Sequence, residues 1–188
     1  LLFILLLSSI FGTVTDIDGN IYETVQIGQQ LWMAENLRVT HYNNGDEIPN
    51  IINNTDWNNS LDYGAYGDYD NNPENSLIYG RLYNWFSVID ERGVCPEGWH
   101  IPTESDFQDL EISLGMSDSQ VDNYGWNRGT NEASKLGGES NLWENGVLVN
   151  DQDFGISGFN AIPAGRRSNS TGEYSGVGLE AMWWSTSI

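Results

Sequence analysis

The sequence predicts a single α+β domain, and three observations support this fold class. Apolar residues alternate near the start of the chain, they recur at helical spacing in the middle, and glycine-punctuated β character returns toward the end. The chain has 188 residues, which is enough for one domain with a substantial core. Aromatic residues make up 12% of the chain, and a disordered sequence would lack so many.

The charge is strongly unbalanced, with 27 acidic residues against 7 basic ones and a net charge of −20. Nucleic acids and anionic membrane surfaces are disfavoured as partners because both would be repelled. The acidic excess is typical of a solvated surface, but carboxylates are also the ligands that divalent cations prefer. Both interpretations of the charge stay open at this point.

The chain begins with an apolar run that resembles the hydrophobic segment of a secretory signal. The run from Leu1 to Gly12 is too short to cross a bilayer, which requires about 20 residues. We therefore expect residues 1–12 to be the remnant of a signal peptide and residues 13–188 to be the folded, exported domain. The alternative is a buried N-terminal strand. No other stretch of the sequence predicts a membrane span.

Residues 13–31 alternate in the manner of a β-hairpin. The two halves are separated by Asp18-Gly19-Asn20, and such a sequence favours a tight turn with positive φ. A second short turn is expected at Gly28-Gln29-Gln30, before the apolar residues Leu31-Trp32-Met33. The sequence thus predicts the first antiparallel strands of the domain.

Residues 42–78 are predicted to be a long loop, because clusters of Asn and Asp interrupt them repeatedly. Long loops in compact domains are often functional, and this one carries Trp57, Tyr63, Tyr66 and Tyr69. Exposed aromatic rings can stack on sugars, so these four residues are the candidate ligand-binding residues. The alternative is that the rings pin the loop onto the core.

Three helices and two late strands complete the prediction. The helices are expected over residues 79–90, from Thr103 to Leu114 with Thr103 as its cap, and from Glu132 to Leu136. The strands are expected over residues 158–165 and 182–186. The second strand is predicted to be buried. The tryptophans in these patterned elements are expected in the core: Trp32, Trp85, Trp99, Trp183 and Trp184.

A calcium site is the metal site that the sequence favours most. Asp68, Asp70 and Asn72 alternate like the first ligands of a Ca²⁺ loop, but Pro73 stands where such a loop needs a glycine turn. An irregular Ca²⁺ site and ordinary turn chemistry are the two interpretations. Zinc is disfavoured because the chain has two His and one Cys, with no spacing typical of a ligand set.

Six segments in order resemble the Fibrobacter succinogenes major paralogous domain family, a group of exported bacterial domains of uncharacterised activity. The resemblance implies a C-type-lectin-like fold, related to that of formylglycine-generating enzymes, with small twisted antiparallel sheets, two main helices and long loops. A likeness of fold does not transfer function. The six segments are residues 18–22, 30–37, 79–85, 95–103, 157–167 and 183–186.

The resemblance also suggests a role for Cys95, the only cysteine in the chain. Domains of this family continue past the Trp-Trp-Ser segment into further strands that carry a second cysteine, so we expect this chain to lack its C-terminal strands. Cys95 is then one half of a disulfide, buried near the open edge after Trp184. The alternatives are intermolecular pairing, a buried free thiol, or a reactive thiol in contact with His100.

The leading functional hypothesis is an exported, non-enzymatic binding or surface-interaction module, with carbohydrate or a cell-surface protein as its partner. No catalytic residue and no cofactor are expected, apart from the Ca²⁺ site that stays open. The alternative is a secreted hydrolase that acts on polysaccharide or protein through loop carboxylates, and a third hypothesis is a structural component of a surface assembly. A cleft with two carboxylates about 5–10 Å apart would favour the hydrolase.

Overall fold

The computed structural model describes residues 12–60, 62–123, 125 and 128–187, and it is an α+β structure built from small antiparallel sheets and short helices. The strands are β1 Gly12–Thr15, β2 Ile21–Ile27, β3 Gln30–Met33, β4 Tyr66–Gly67, β5 Leu82–Tyr83, β6 Ala164–Arg167 and β7 Tyr174–Val177. The helices are α1 Asn54–Asn59, α2 Pro73–Tyr79, α3 Trp85–Val88, α4 Glu104–Ser113, α5 Asp118–Val121 and α6 Glu132–Leu136. The predicted fold class is confirmed.

The first sheet has the strand order β1-β2-β3, with both pairs antiparallel. The turn between β1 and β2 is organised by the buried carboxylate of Asp16, which accepts hydrogen bonds from the backbone N–H groups of Asp18 and Asn20. It also accepts a hydrogen bond of 2.6 Å from the hydroxyl of Tyr22. Both predicted turns are present. The proposed signal remnant falls largely on residues 1–11, which lie outside the described residues.

The first hydrophobic core lies between this sheet and α4. Trp32 is at its centre, with ring centroids 5.6 Å from both Phe107 and Phe159. Burying a large apolar side chain contributes about 1.5–3 kcal/mol, so this cluster accounts for much of the stability of the sheet. Its fully buried members are Val25, Ile27, Trp32, Ala34, Leu110, Leu114, Phe159 and Ala161.

Helix α4 begins and ends where the sequence predicts. The Thr103 side chain accepts from the Asp106 N–H, while the Asp106 carboxylate accepts from the Thr103 N–H, which forms a capping box. The helix stops before Gly115, whose φ of +109° is unfavourable for residues with a side chain. Helix α6 also matches its predicted range.

The segment 42–78 is more structured than predicted. It contains α1, β4, a short 3₁₀ turn over Tyr69–Asn71, and α2. Two of the asparagines that suggested a loop are helix caps, since the side chain of Asn53 accepts from the first turn of α1 and that of Asn72 accepts from Glu74 N–H. A second core cluster packs beneath this segment: Val39, Tyr42, Ile48, Tyr66 and Val94.

The prediction of one helix over residues 79–90 is wrong for the first half of that range. Helix α2 ends at Tyr79, and Gly80 follows with a φ of +74°, in contact with Asn36. After the short strand β5, the Asn84 side chain accepts from Ser87 N–H and starts the single turn of α3. Two local capping events therefore replace one continuous helix.

The two late strands are also corrected. The predicted strand over residues 158–165 is displaced to β6, because Asn160 has a positive φ of 59° and Pro163 has no N–H to donate. Residues 182–186 are not assigned to a strand, and Met182, Trp183 and Trp184 are exposed rather than buried. Among the described residues, no helix has both the length and the apolar character that a membrane crossing requires.

Candidate functional site

A large groove lined by aromatic side chains lies in the described part of the chain. Its volume is about 1180 Å³, and it is lined by residues of β3, of the segments 79–88, 94–107 and 159–169, and of the chain after β7. We call it the aromatic groove. Its aromatic lining consists of Trp32, Trp57, Tyr79, Tyr83, Trp85, Phe86, Trp99, Phe107, Phe159, Trp183 and Trp184.

The tail segment, defined as residues 181–187, lies across this groove. The indole N–H of Trp183 donates to Asn36 Oδ1 at 3.2 Å, and that of Trp184 donates to the Tyr83 carbonyl at 2.9 Å. Farther along, Thr186 N–H donates to the Pro102 carbonyl at 3.0 Å. These contacts place the tail segment between β5 and the start of α4.

The two adjacent tryptophans are held at defined positions while their rings stay open to solvent. Trp183 meets Phe159 edge to face, and Trp184 is tilted against Trp85, each with ring centroids 5.6 Å apart. Nevertheless, Trp183 is 40% exposed and Trp184 is 45% exposed. Such rings offer an apolar face together with an anchored polar edge, as binding-site tryptophans commonly do.

Two carboxylates line the groove, and both are engaged in structural contacts. Glu35 pairs with Arg38 at 2.6 Å and accepts from the Glu23 N–H. Asp106 accepts from the backbone and hydroxyl of Thr103, and these hydrogen bonds hold the pKa of its carboxyl below the usual value although burial opposes them. A carboxyl with a lowered pKa is ionised at neutral pH and has no proton to donate as a general acid.

Three of the four predicted ligand-binding aromatics are buried. Trp57, Tyr66 and Tyr69 are each no more than 8% exposed, and the Arg167 guanidinium covers the Trp57 ring at 4.3 Å. Little of each ring is open to solvent, although Trp57 also lines the aromatic groove, and a ligand-binding role for the four residues stays a prediction. Tyr63 is the remaining exposed member, at 45%.

The three predicted calcium ligands have other contacts. Asp68 is buried and lies 3.2 Å from the Arg81 guanidinium, which balances its charge. Asp70 is exposed with a φ of 54°, and Asn72 caps α2. Within the ranges that the structure describes, no cluster of three or more His, Cys, Asp or Glu side chains is suited to hold a metal ion.

Cys95 is a half-buried free thiol that packs against the second core cluster and lines the aromatic groove. Burial raises the pKa of its thiol to about 11, so the thiolate is disfavoured at neutral pH. His100 is exposed and pairs with Asp106 at 3.2 Å. The structure thus places Cys95 and Trp184 on the same groove, whereas His100 pairs with Asp106.

Sequence reasoning missed the exposed indoles of Trp183 and Trp184, because an apolar Met-Trp-Trp run favours a buried strand. One signal was available. Successive side chains of a strand point to opposite faces, so two adjacent tryptophans cannot both enter one core. That rule predicts that at least one of the two indoles lies outside the core and is open to solvent.

Comparison with known protein families identifies the chain. The sequence profile of the Fibrobacter succinogenes major domain matches residues 25–188. The chain belongs to the Fibrobacter succinogenes major domain family. The match includes five of the six segments on which the resemblance depended, and the remaining segment, residues 18–22, forms the turn and strand just before it.

The Fibrobacter succinogenes major domain family brings no assigned activity to this chain, since its description names only the domain. Comparisons with curated proteins and with solved structures return no significant match. The α+β class is established by the structure itself, whereas the C-type-lectin-like architecture stays a prediction from the resemblance.

Proposed function

We propose that this chain is an exported binding module and that the aromatic groove is its binding surface. The observation that carries the proposal is the pair of exposed indoles, Trp183 and Trp184, fixed by hydrogen bonds at the mouth of the groove. A preorganised aromatic ring loses little conformational entropy when a ligand stacks on it. Carbohydrate and cell-surface protein are the two ligand classes that this surface suits.

Export is supported by the character of the first residues, which resemble a signal segment. A net charge of −20 keeps a protein soluble and repels anionic polymers, so we expect the ligand to be neutral or basic. Neutral polysaccharides and basic protein surfaces both meet this requirement.

The hydrolase hypothesis receives less support from the groove. Glycoside hydrolysis requires one carboxyl to donate a proton and a second to act as base or nucleophile. Glu35 is paired with Arg38, and the lowered pKa of Asp106 opposes its service as an acid. Binding without chemistry therefore accounts better for the contacts that line the groove.

The proposal is tested by comparing three single variants against one panel of ligands. The panel contains soluble neutral polysaccharides, examined by affinity electrophoresis, and a phage-displayed library of random peptides. Trp184→Ala and Trp183→Ala should each weaken binding of the selected ligand about tenfold or more, because aromatic anchors carry much of the energy of a binding surface. Thermal melts establish that each variant is folded.

Tyr63→Ala is the matched control, because Tyr63 is an equally exposed aromatic residue outside the lining of the groove. Binding should be unchanged in this variant. If Tyr63→Ala abolishes binding while the two tryptophan variants keep it, the predicted loop of residues 42–78 is the site and the groove proposal is wrong. Failure of every ligand in the panel to bind would also contradict it.

A further inference from the structure

The sequence contains two Asn-Gly dipeptides, Asn44-Gly45 and Asn145-Gly146. Asparagine is among the thermolabile residues, and a following glycine makes it more so. The backbone nitrogen of the following residue can attack the side-chain carboxamide, and a glycine has no Cβ to hinder that attack. The two dipeptides share this chemistry, so the difference between them depends on what the fold places around each.

Asn44-Gly45 is held in a turn whose reacting groups are both engaged. The Gly45 N–H donates to the Tyr42 carbonyl at 2.8 Å, and Gly45 has a φ of +89°. The Asn44 carboxamide is occupied at both ends: its Oδ1 accepts from the Asp46 N–H at 3.0 Å, and its Nδ2 donates to the Asp46 carboxylate at 2.9 Å. Attack by the Gly45 nitrogen therefore requires this turn to open first.

Asn145-Gly146 lies in an open segment of the surface. Both residues are exposed, and Val147 beside them is 92% exposed. Within the part of the chain that the structure describes, the Gly146 N–H has no hydrogen-bond acceptor. The space beside the Gly146 backbone is also open, since the Glu144 carbonyl is the only neighbour that a side chain there would approach. Solvent therefore reaches the Gly146 nitrogen, and no turn has to open.

The side chain of Asn150 contacts the atoms that would react. Its Nδ2 donates to Asn145 Oδ1 at 2.9 Å and to the Gly146 carbonyl at 2.8 Å. One amide group thus holds the Asn145 side chain on the Gly146 side of the segment, which reduces the entropy cost of the attack. Asn145 Oδ1 is also the atom that becomes negative when its carbon is attacked. A donor already directed at that oxygen stabilises the transition state.

We propose that Asn145 is a site of spontaneous deamidation, in which the Gly146 nitrogen is the nucleophile and the Asn150 carboxamide stabilises the developing oxyanion. Hydroxide from the solvent removes the Gly146 N–H proton, and the nitrogen forms a bond to Asn145 Cγ. The Cγ–Nδ2 bond then breaks, and the nitrogen leaves as ammonia after it takes a proton from water. Water opens the resulting cyclic imide at either carbonyl, which produces aspartate or isoaspartate at this position.

The modification changes both charge and backbone at this segment. Either product adds a carboxylate beside Glu144, and isoaspartate also lengthens the backbone by one methylene. The Glu144 N–H donates to the Gly178 carbonyl at 2.7 Å, so the lengthened backbone adjoins a tertiary contact. Residues 143–150, all of them described, do not line the aromatic groove. The inference is therefore independent of the proposed function.

The test compares the two dipeptides within one chain, incubated at mildly alkaline pH either native or unfolded in guanidinium chloride. Peptide mass spectrometry locates the conversion of amide to acid, and a protein isoaspartyl methyltransferase quantifies isoaspartate. In the native chain Asn145 should react within about threefold of its unfolded rate, whereas Asn44 should be slowed about tenfold or more because its turn must open. The proposal is overturned if the native fold protects Asn145 as strongly as Asn44.

A variant tests the role of Asn150. Asn150→Ala should slow the reaction of native Asn145 about threefold or more, because the oxyanion loses its donor, and should leave the unfolded rate unchanged. Asn141→Ala is the matched control, since Asn141 is an exposed asparagine nearby in the sequence, and its loss should change neither rate. A native rate that is unchanged or higher in Asn150→Ala would overturn the catalytic role of Asn150. If that variant does not fold in thermal melts, the wild-type comparison still decides whether Asn145 is the site.

Discussion

Asp106 joins three parts of the chain through one carboxylate. It completes the cap of α4 with Thr103, accepts from Gln30 at the start of β3, and lies 3.2 Å from His100. Its pKa is held below the usual value chiefly by the hydrogen bond from the Thr103 backbone. Its contribution to stability is therefore present above the ordinary carboxyl pKa and is lost as the pH falls through the lowered one.

The surroundings of Cys95 favour the neutral form of its side chain, whereas those of Asp106 favour the charged form. Burial raises its pKa to about 11, which leaves roughly one thiol in a thousand ionised at pH 8. We expect iodoacetamide to alkylate the native chain about 100-fold more slowly than the urea-unfolded chain at that pH, measured by intact mass. The same shift predicts that stability falls as the pH rises above the unfolded thiol pKa.

Cys95→Ser provides the blank for this experiment, because the chain has no other cysteine. Alkylation of the native chain as fast as the unfolded one would show an accessible thiolate. The hypothesis of a reactive thiol would then replace that of a buried, unreactive thiol.

At the scale of elements, the Arg167 side chain connects β6 to the segment before α1 through ring stacking and hydrogen bonds. Its guanidinium lies between the rings of Trp57 and Tyr174, at 4.3 and 4.6 Å from their centroids. It donates to the carbonyls of Ile51 and Gly172, and its side chain is buried. Planar stacking on two rings combined with several donors in one plane is a geometry that lysine does not reproduce.

Arg167→Lys should therefore lower the free energy of unfolding by about 2–3 kcal/mol, since it loses stacking and leaves buried carbonyls without donors. Urea denaturation followed by tryptophan fluorescence measures the change. Arg166→Lys is the control, because Arg166 is exposed and its ion pair with Glu180 is a surface contact. That change should stay within about 0.5 kcal/mol. Equal losses of unfolding free energy in the two variants would contradict this structural role of Arg167.

At the scale of the whole molecule, the net charge of −20 is the dominant electrostatic feature. Repulsion among so many carboxylates destabilises the compact state, and ions in solution screen it. Any added salt should therefore raise the melting temperature. This general effect must be separated from binding at Asp68, Asp70 and Asn72, where the ion pair between Asp68 and Arg81 already balances one carboxylate.

We expect CaCl₂ and MgCl₂ at equal concentration to raise the melting temperature by the same amount, because both act through screening. Differential scanning fluorimetry with an EDTA-treated sample as reference makes the comparison. A larger shift with CaCl₂ would reveal a specific site, since a ligand of the native state stabilises it. Loss of that extra shift in Asp70→Asn, compared with exposed Asp62→Asn, would place the site on the predicted loop.

Local sequence signals by themselves determined the hairpin of β1 and β2, helix α4 with its Thr103 cap, helix α6, the α+β class and the family. Each of these depends on neighbours in the chain: turn residues with positive φ, a capping box, or apolar spacing that fits one period. Such information is contained within a few residues, and no distant contact overrides it.

Only the tertiary structure decided which aromatic rings are buried and which are open. Arg167, more than a hundred residues away in sequence, covers Trp57, while Trp183 and Trp184 stay exposed beside Asn36 and Tyr83. The sequence does not distinguish one tryptophan from another. The exposure of each ring depends on the distant residues that pack against it. The aromatic groove exists for that reason, since it arises where separate segments of the chain meet.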